Sequence, residues 1–282
     1  MTMTNPNINL TGSLQNPAFS PDGTQLVFTR FRGGYNIGRS DIAVCNLDGS
    51  NVGLAVSADA QSVNLPGLSC WSASNDLFCC SSDIGDKGDQ IWVSDPWGAR
   101  RQVTHLANAV AWEPSFSPTG DFLAYEGHGK DGVGNGGIFV VDIDGVTHTR
   151  LTDSRMDAKQ PNWSPTYNHI VFQIEGNGLW TVLPDGTGLS KVITGPGEAT
   201  DASFSKDGAQ LVYSGDGNSL DHSTVFIVDM NTHVVTKTTA VEKGSYAGAP
   251  CFSPNGKLIA FEYCVGDPEG GKGTKIGIIS LP

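Results

Sequence analysis

The sequence predicts an all-β fold built from repeated four-stranded sheets, and three observations carry that expectation. An aromatic residue followed by Ser and a tight-turn tetrapeptide, or its degraded form, recurs at Phe19, Trp71, Phe116, Trp163, Phe204 and Phe252. These anchors lie 52, 45, 47, 41 and 48 residues apart, a period that belongs to solenoids and propellers. Each repeat holds short apolar runs bounded by Gly, Asp and Pro, and no window sustains a helical period.

The elements follow in order within each repeat. The anchor ends a first strand, and turns such as Pro21-Asp22-Gly23 and Pro254-Asn255-Gly256 reverse the chain, because Asp, Asn and Gly supply turn conformations. A second strand follows, for example Leu26-Val27-Phe28 or Leu258-Ile259-Ala260-Phe261. After a polar loop of variable length comes a third, as in Gln90-Ile91-Trp92-Val93 or Gly137-Ile138-Phe139-Val140-Val141, then a second Asp-Gly turn and a fourth strand. Four short strands per repeat make the blade of a β-propeller.

Closure gives the blade count. Only 30 residues follow Phe252, enough for three strands, so the missing fourth is expected at the N-terminus. Asn9-Leu10-Thr11-Gly12 matches the fourth-strand ends Gln102-Val103-Thr104-His105 and Arg150-Leu151-Thr152-Asp153. The chain is therefore expected to be one six-bladed propeller domain over residues 1–282, with a strand at about residues 8–12 completing the last blade. Such closure removes edges that invite aggregation.

Aromatic-Ser-Pro-Asp-Gly, then Leu/Ile-Val/Ala-Phe/Tyr, an Ile-aromatic-Val strand, an Asp-Gly turn and a terminal Leu-Thr together resemble the repeat of TolB-like six-bladed propellers, of the WD40-like type. The resemblance covers nearly the whole chain. Trp71-Ser72-Ala73-Ser74-Asn75-Asp76 departs from it by lacking Pro and Gly. Members include periplasmic binding proteins, accessory domains of peptidases and polysaccharide lyases, among which a shared fold does not choose.

Composition narrows the partners. The formal charge is −12, from 17 Lys and Arg against 29 Asp and Glu. Nucleic acid binding draws on clustered cations and is not expected; the excess of acid reads as solubility, with attraction for cations or basic partners as the alternative. No apolar stretch approaches the roughly 20 residues of a membrane span. The N-terminal residues Met1 to Asn7 show neither a basic nor an apolar targeting region, so the expectation is cytoplasmic, or periplasmic or secreted if a targeting segment was removed. Cys45, Cys70, Cys79, Cys80, Cys251 and Cys264 lack zinc-finger spacing and read as buried small hydrophobes.

Function is expected on the face that carries the long Gly-rich loops between second and third strands, since long loops on a rigid scaffold carry binding and catalysis. Three residues before the anchors stand Asn16, Leu68, Glu113, Gln160, Asp201 and Ala249. On the innermost strands these should ring the channel mouth. Asn16, Glu113, Gln160 and Asp201, with Tyr35 from the first loop, are the candidate ligand-binding residues. Their oxygens suit a hard cation such as Ca²⁺ or Mg²⁺, with Glu113 and Asp201 as its ligands, or line a hydrated channel without metal.

The expected function is a binding module for a protein or carbohydrate-like ligand at this face. The alternative, implied by the lyases of the family, is a carbohydrate-active enzyme over the same channel. His105, His128 or His222 would then act as base or metal ligand, and Arg32 or Lys130 would neutralise a uronate carboxylate. His148, His169 and His233 fall at turns of the opposite, short-turn face.

Overall fold

The computed structural model describes residues 1–57, 63–64, 70–72, 77–83, 88–95, 99–129, 136–166, 168–193, 198–216, 223–238, 244–270 and 273–282. They form six four-stranded antiparallel sheets arranged in a ring. Blade one runs Ser13–Phe19, Gln25–Phe31, Ser40–Asn46 and Gly53–Val56, and blade three runs Ala109–Phe116, Phe122–Gly129, Gly137–Asp142 and His148–Arg150. Within each sheet from blade one to blade five, strand order is sequence order.

The repeated Ser closes the first turn of blades one, five and six. Ser20 Oγ donates to Asp22 Oδ1 (2.6 Å) and accepts from the Gln25 backbone N–H (2.9 Å). Ser205 and Ser253 make the same pair of bonds, to Asp207 and Gln210 and to Asn255 and Leu258. The Ser20 hydroxyl, with Thr24, holds the Asp22 carboxyl below its usual range.

The core lies between blades. Phe19, Phe116, Trp163, Phe204 and Phe252 are all buried. In three blades the residue before the anchor stitches one blade to the next. Ser115 Oγ accepts from the Trp163 N–H (2.8 Å), Asn162 Oδ1 from the Phe204 N–H (3.3 Å), and Cys251 from the Phe19 N–H. A compact side chain is required there because the neighbouring backbone comes within bonding distance. All six cysteines are buried and none is in a disulfide.

An N-terminal strand completes the last blade, as the sequence predicts, but it lies at other residues than expected. The strand that completes the last blade is Thr2–Thr4, paired with Ile278, Ile279 and Ser280, and residues 8–12 are not a strand. Those residues cross from blade six to blade one, with Ile8 and Leu10 packed on the apolar cluster around Phe19 and Leu26. The Leu-Thr signal misplaced the strand because it marks the residues just after a fourth strand. In blades two and three the Thr104 and Thr152 hydroxyls accept from the N–H of Ile91 (2.8 Å) and Ile138 (3.0 Å), near the start of the third strand.

Candidate functional site

The innermost strands of blades one, three, four, five and six each carry a β-bulge at the position three residues before the anchor. Pairing shifts register between Gln15 and Ala18, Trp112 and Ser115, Lys159 and Asn162, Thr200 and Ser203, and Gly248 and Cys251. Asn16, Glu113, Gln160, Asp201 and Ala249 adopt left-handed φ values of 50, 49, 52, 51 and 43°. Such a conformation is strained for residues other than Gly, and a bulge re-aims the side chain it carries. Four of these side chains thereby face one cavity on the axis, of about 730 Å³. Leu68 lies outside the described residues.

A second tier, which sequence reasoning missed, comes from the second strands. Ten residues after the anchors stand Thr29, Ser81, Glu126, Gln173, Ser214 and Glu262, every one polar within an apolar run and every one buried. That recurrence was the available signal. Ser81, Glu126, Gln173 and Glu262 line the cavity.

The two tiers bond blade to blade around the axis. Glu126 Oε2 accepts from the Gln160 N–H (2.8 Å), and Gln160 Oε1 accepts from the Asp201 N–H (3.2 Å) while its Nε2 donates to Asp201 Oδ1 (2.8 Å). Asp201 in turn accepts from the Ala249 N–H, and Glu262 Oε2 from the Asn16 N–H (3.3 Å). Each acceptor satisfies the backbone donor at the next blade's bulge, so part of this polar ring holds the fold together.

Tyr35 reaches the same cavity, where its hydroxyl lies 2.9 Å from that of Tyr246. Tyr246 donates to Glu262 Oε1 (2.6 Å), as does Tyr35 (3.2 Å). Burial, followed by the Glu262 charge, pushes both phenols above their usual range. Burial also raises Glu262, to about 7, aided by the Asp201 charge and opposed by the Tyr246 hydrogen bond. Glu113 is held well above the usual carboxylate range by burial and then by the charges of Glu126, Asp201 and Glu262. Its carboxylate makes no hydrogen bond among the described residues. Gln15 Nε2 is a buried donor without a partner, on a cavity-lining side chain only 2 % exposed. Among the described lining residues Lys159 is the one cation, on the rim beside Asp157 and Glu175.

The remaining candidates stand elsewhere. Arg32 binds Asp41 through two nitrogens (2.9 and 2.6 Å) and does not line the cavity. His105 is exposed and away from it. His128 is buried, bonded to Glu126 and packed 4.8 Å from the Trp112 ring, whose Nε1 donates to Asp89 (2.6 Å). Lys130 and His222 lie outside the described residues. No group of three His, Cys, Asp or Glu among the described residues is placed to hold a metal ion.

Fold and site together define a six-bladed propeller with an acidic axial cavity. Residues 35–269, well over half of the chain, match the TolB beta propeller domain, and the chain belongs to that family. It is 30 % identical over 178 residues to a TolB homologue of Chlorobium luteolum, an alignment covering 62 % of this chain and 38 % of that protein. The chain thus spans well under half the length of that relative. A structure assigned as TolB from Agrobacterium tumefaciens superposes with a TM-score of 0.68 at 20 % identity, covering 95 % of this chain and 90 % of that one. An oligogalacturonate lyase in complex with manganese gives 0.63 at 14 % identity, covering 100 % and 96 %. At such identities the two structures show the shared fold alone. No helix among the described residues is long and apolar enough to cross a membrane, and the relatives lend no support to the cytoplasmic placement expected from the N-terminus.

Proposed function

We propose that this chain is a binding module whose axial cavity receives a cationic segment of a protein partner. The observation that carries the reading is the cavity itself, lined by Glu113, Glu126, Asp201 and Glu262 with Lys159 as its one described cation. A lysine or arginine entering it would relieve the mutual repulsion of these carboxylates, an interaction strengthened where water is excluded. Glu113 offers an unengaged acceptor, and Gln15 Nε2 a donor for a carbonyl of the same segment. An unpartnered buried donor costs free energy that a ligand's oxygen would recover.

A uronate-bearing sugar fits this lining poorly, since its own carboxylate would meet carboxylates. The guanidinium expected to neutralise it, Arg32, is committed to Asp41. The discriminating experiment is calorimetric titration with tetralysine, tetraglutamate and trigalacturonate. Saturable binding of tetralysine that weakens in Glu113→Gln supports the reading. Binding of trigalacturonate without tetralysine would sink it and turn the search to carbohydrate chemistry.

A further inference from the structure

A second cavity of about 300 Å³ opens between blades four and five, on the short-turn face. Its lining contrasts with the axial cavity. Phe204, Val192 and Met230 give it apolar walls, His169, His233 and Lys191 bring nitrogen groups, and no carboxylate lines it among the described residues. In a chain of net charge −12, a pocket without acid is a departure that needs a reason.

His233 supplies one. In blades one, three and four, the turn from third to fourth strand places Gly49, Gly145 and Gly186 in the left-handed region, with φ values of 86, 77 and 83°. The corresponding turn of blade five is one residue longer, and His233 takes that conformation with φ 58°. Its N–H donates to Asp229 O (2.8 Å), as the glycine N–H groups donate to the start of their own turns. The repeat favours glycine here because a side chain strains the backbone. A histidine held in such a conformation is an outlier of the kind that accumulates at ligand sites.

The ring orientation defines what it can offer. His233 Nδ1 lies 3.2 Å from the Val192 carbonyl oxygen across the seam. A carbonyl only accepts, so Nδ1 carries a hydrogen; Nε2 has no partner among the described residues and, in the imidazolium form, offers a second N–H to an anion. The His169 ring, from the first turn of blade four, likewise has none. Lys191 adds positive charge at the edge, its ammonium held by Asn177 Oδ1 (2.7 Å) over the Trp180 ring. Asp229 lies near His233, but its carboxylate is occupied by Asn231 and Thr232 within the turn.

We infer that this seam is a second binding site, for a small organic anion with a flat apolar body. The anionic group would lie between the His169 and His233 imidazoles, and the body against Phe204, Val192 and Met230.

The test follows the histidine Cε1–H signals by NMR while 1-naphthoate is added, with 1-naphthalenemethanol and 1-naphthylmethylammonium as neutral and cationic controls. The expected result is saturable movement of the His169 and His233 signals by naphthoate. Affinity should fall roughly tenfold in His169→Gln and in His233→Gly, and by a similar factor for the neutral control. His233→Gly restores the residue the turn prefers, so its unfolding midpoint should match or exceed that of the parent. His233→Asn, which also tolerates this backbone, should behave alike. Unmoved histidine signals, equal binding of the cationic control, or undiminished affinity in the variants would overturn the proposal. So would a marked fall in midpoint for both His233 variants, which would assign the ring to bridging the blades through Val192.

Discussion

At the scale of single residues, the axial carboxylates make stability depend on pH with a definite sign. Glu262 is raised from 4.5 to about 7 in the folded chain. Between these values the folded state keeps a proton that the unfolded state has lost. Stability is therefore greatest near the lower limit, falls as pH rises, and levels off above about 7. The full effect for Glu262 is about 3 kcal/mol by linkage. Glu113 is shifted in the same direction, and its side chain has no hydrogen bond to lose among the described residues. Glu113→Gln should thus raise the unfolding midpoint at pH 8 and flatten its decline from pH 5. Denaturation across that range checks this; an unchanged slope would mean that Glu113 is ionised in the folded protein. The turn aspartates follow the opposite rule, because hydrogen bonds hold Asp22 and Asp207 below the usual range, so what they contribute is lost only on acidification below it.

At the scale of elements, the bulge and the turn are the units that the repeat copies. Ala249 adopts φ 43° and its buried methyl does not line the cavity, so Ala249→Gly removes strain at the cost of a single buried methyl group. It should raise stability by about 0.5–1 kcal/mol, after allowing for the greater entropy of an unfolded glycine. The reverse holds at Gly145, where φ is 77° and an added Cβ would collide with the Val103 carbonyl oxygen of the neighbouring blade. Gly145→Ala should cost a few kcal/mol, read from denaturant midpoints at constant slope. Between blades the anchors dominate: Trp163→Ala empties a buried site among Ile170, Phe172 and Val182 and should cost about 3–5 kcal/mol. Comparable losses for Ala249→Gly and Trp163→Ala would contradict this division between strained and packed positions.

At the scale of the whole molecule, charge separates the two faces. The axial cavity is acidic, the seam pocket between blades four and five has no carboxylate among its described lining residues, and the chain carries −12 overall. Tetralysine binding at the channel should weaken steeply as salt rises, since the Debye length shrinks from about 30 Å at 0.01 M to about 8 Å at 0.15 M. Calorimetric titrations at several ionic strengths read this directly, and salt-independent binding would count against an electrostatic site. Naphthoate at the seam should respond less, because burial of its apolar body adds a contribution that salt does not screen.

Much of this architecture was legible in the chain, because repetition amplifies weak local signals. One Phe-Ser-Pro-Asp-Gly is only a turn, but six anchors at a period of 41–52 residues require a ring of like units, and the Ser and Asp that close each hairpin act through contacts a few residues apart. The positions three before the anchors were legible for the same reason. The sequence alone therefore determined the blade count, the turn chemistry and the polar character of the channel. Tertiary structure decided what depends on neighbours distant along the chain. It turned bulged strands inward, drew Glu126 and Glu262 across to the next blade, and committed Arg32 to Asp41. It also chose Thr2–Thr4 over residues 8–12 to close the ring. Local pattern fixes what a residue prefers, but a bulge, a buried ion pair and a closing strand are set by the partners that packing places opposite them.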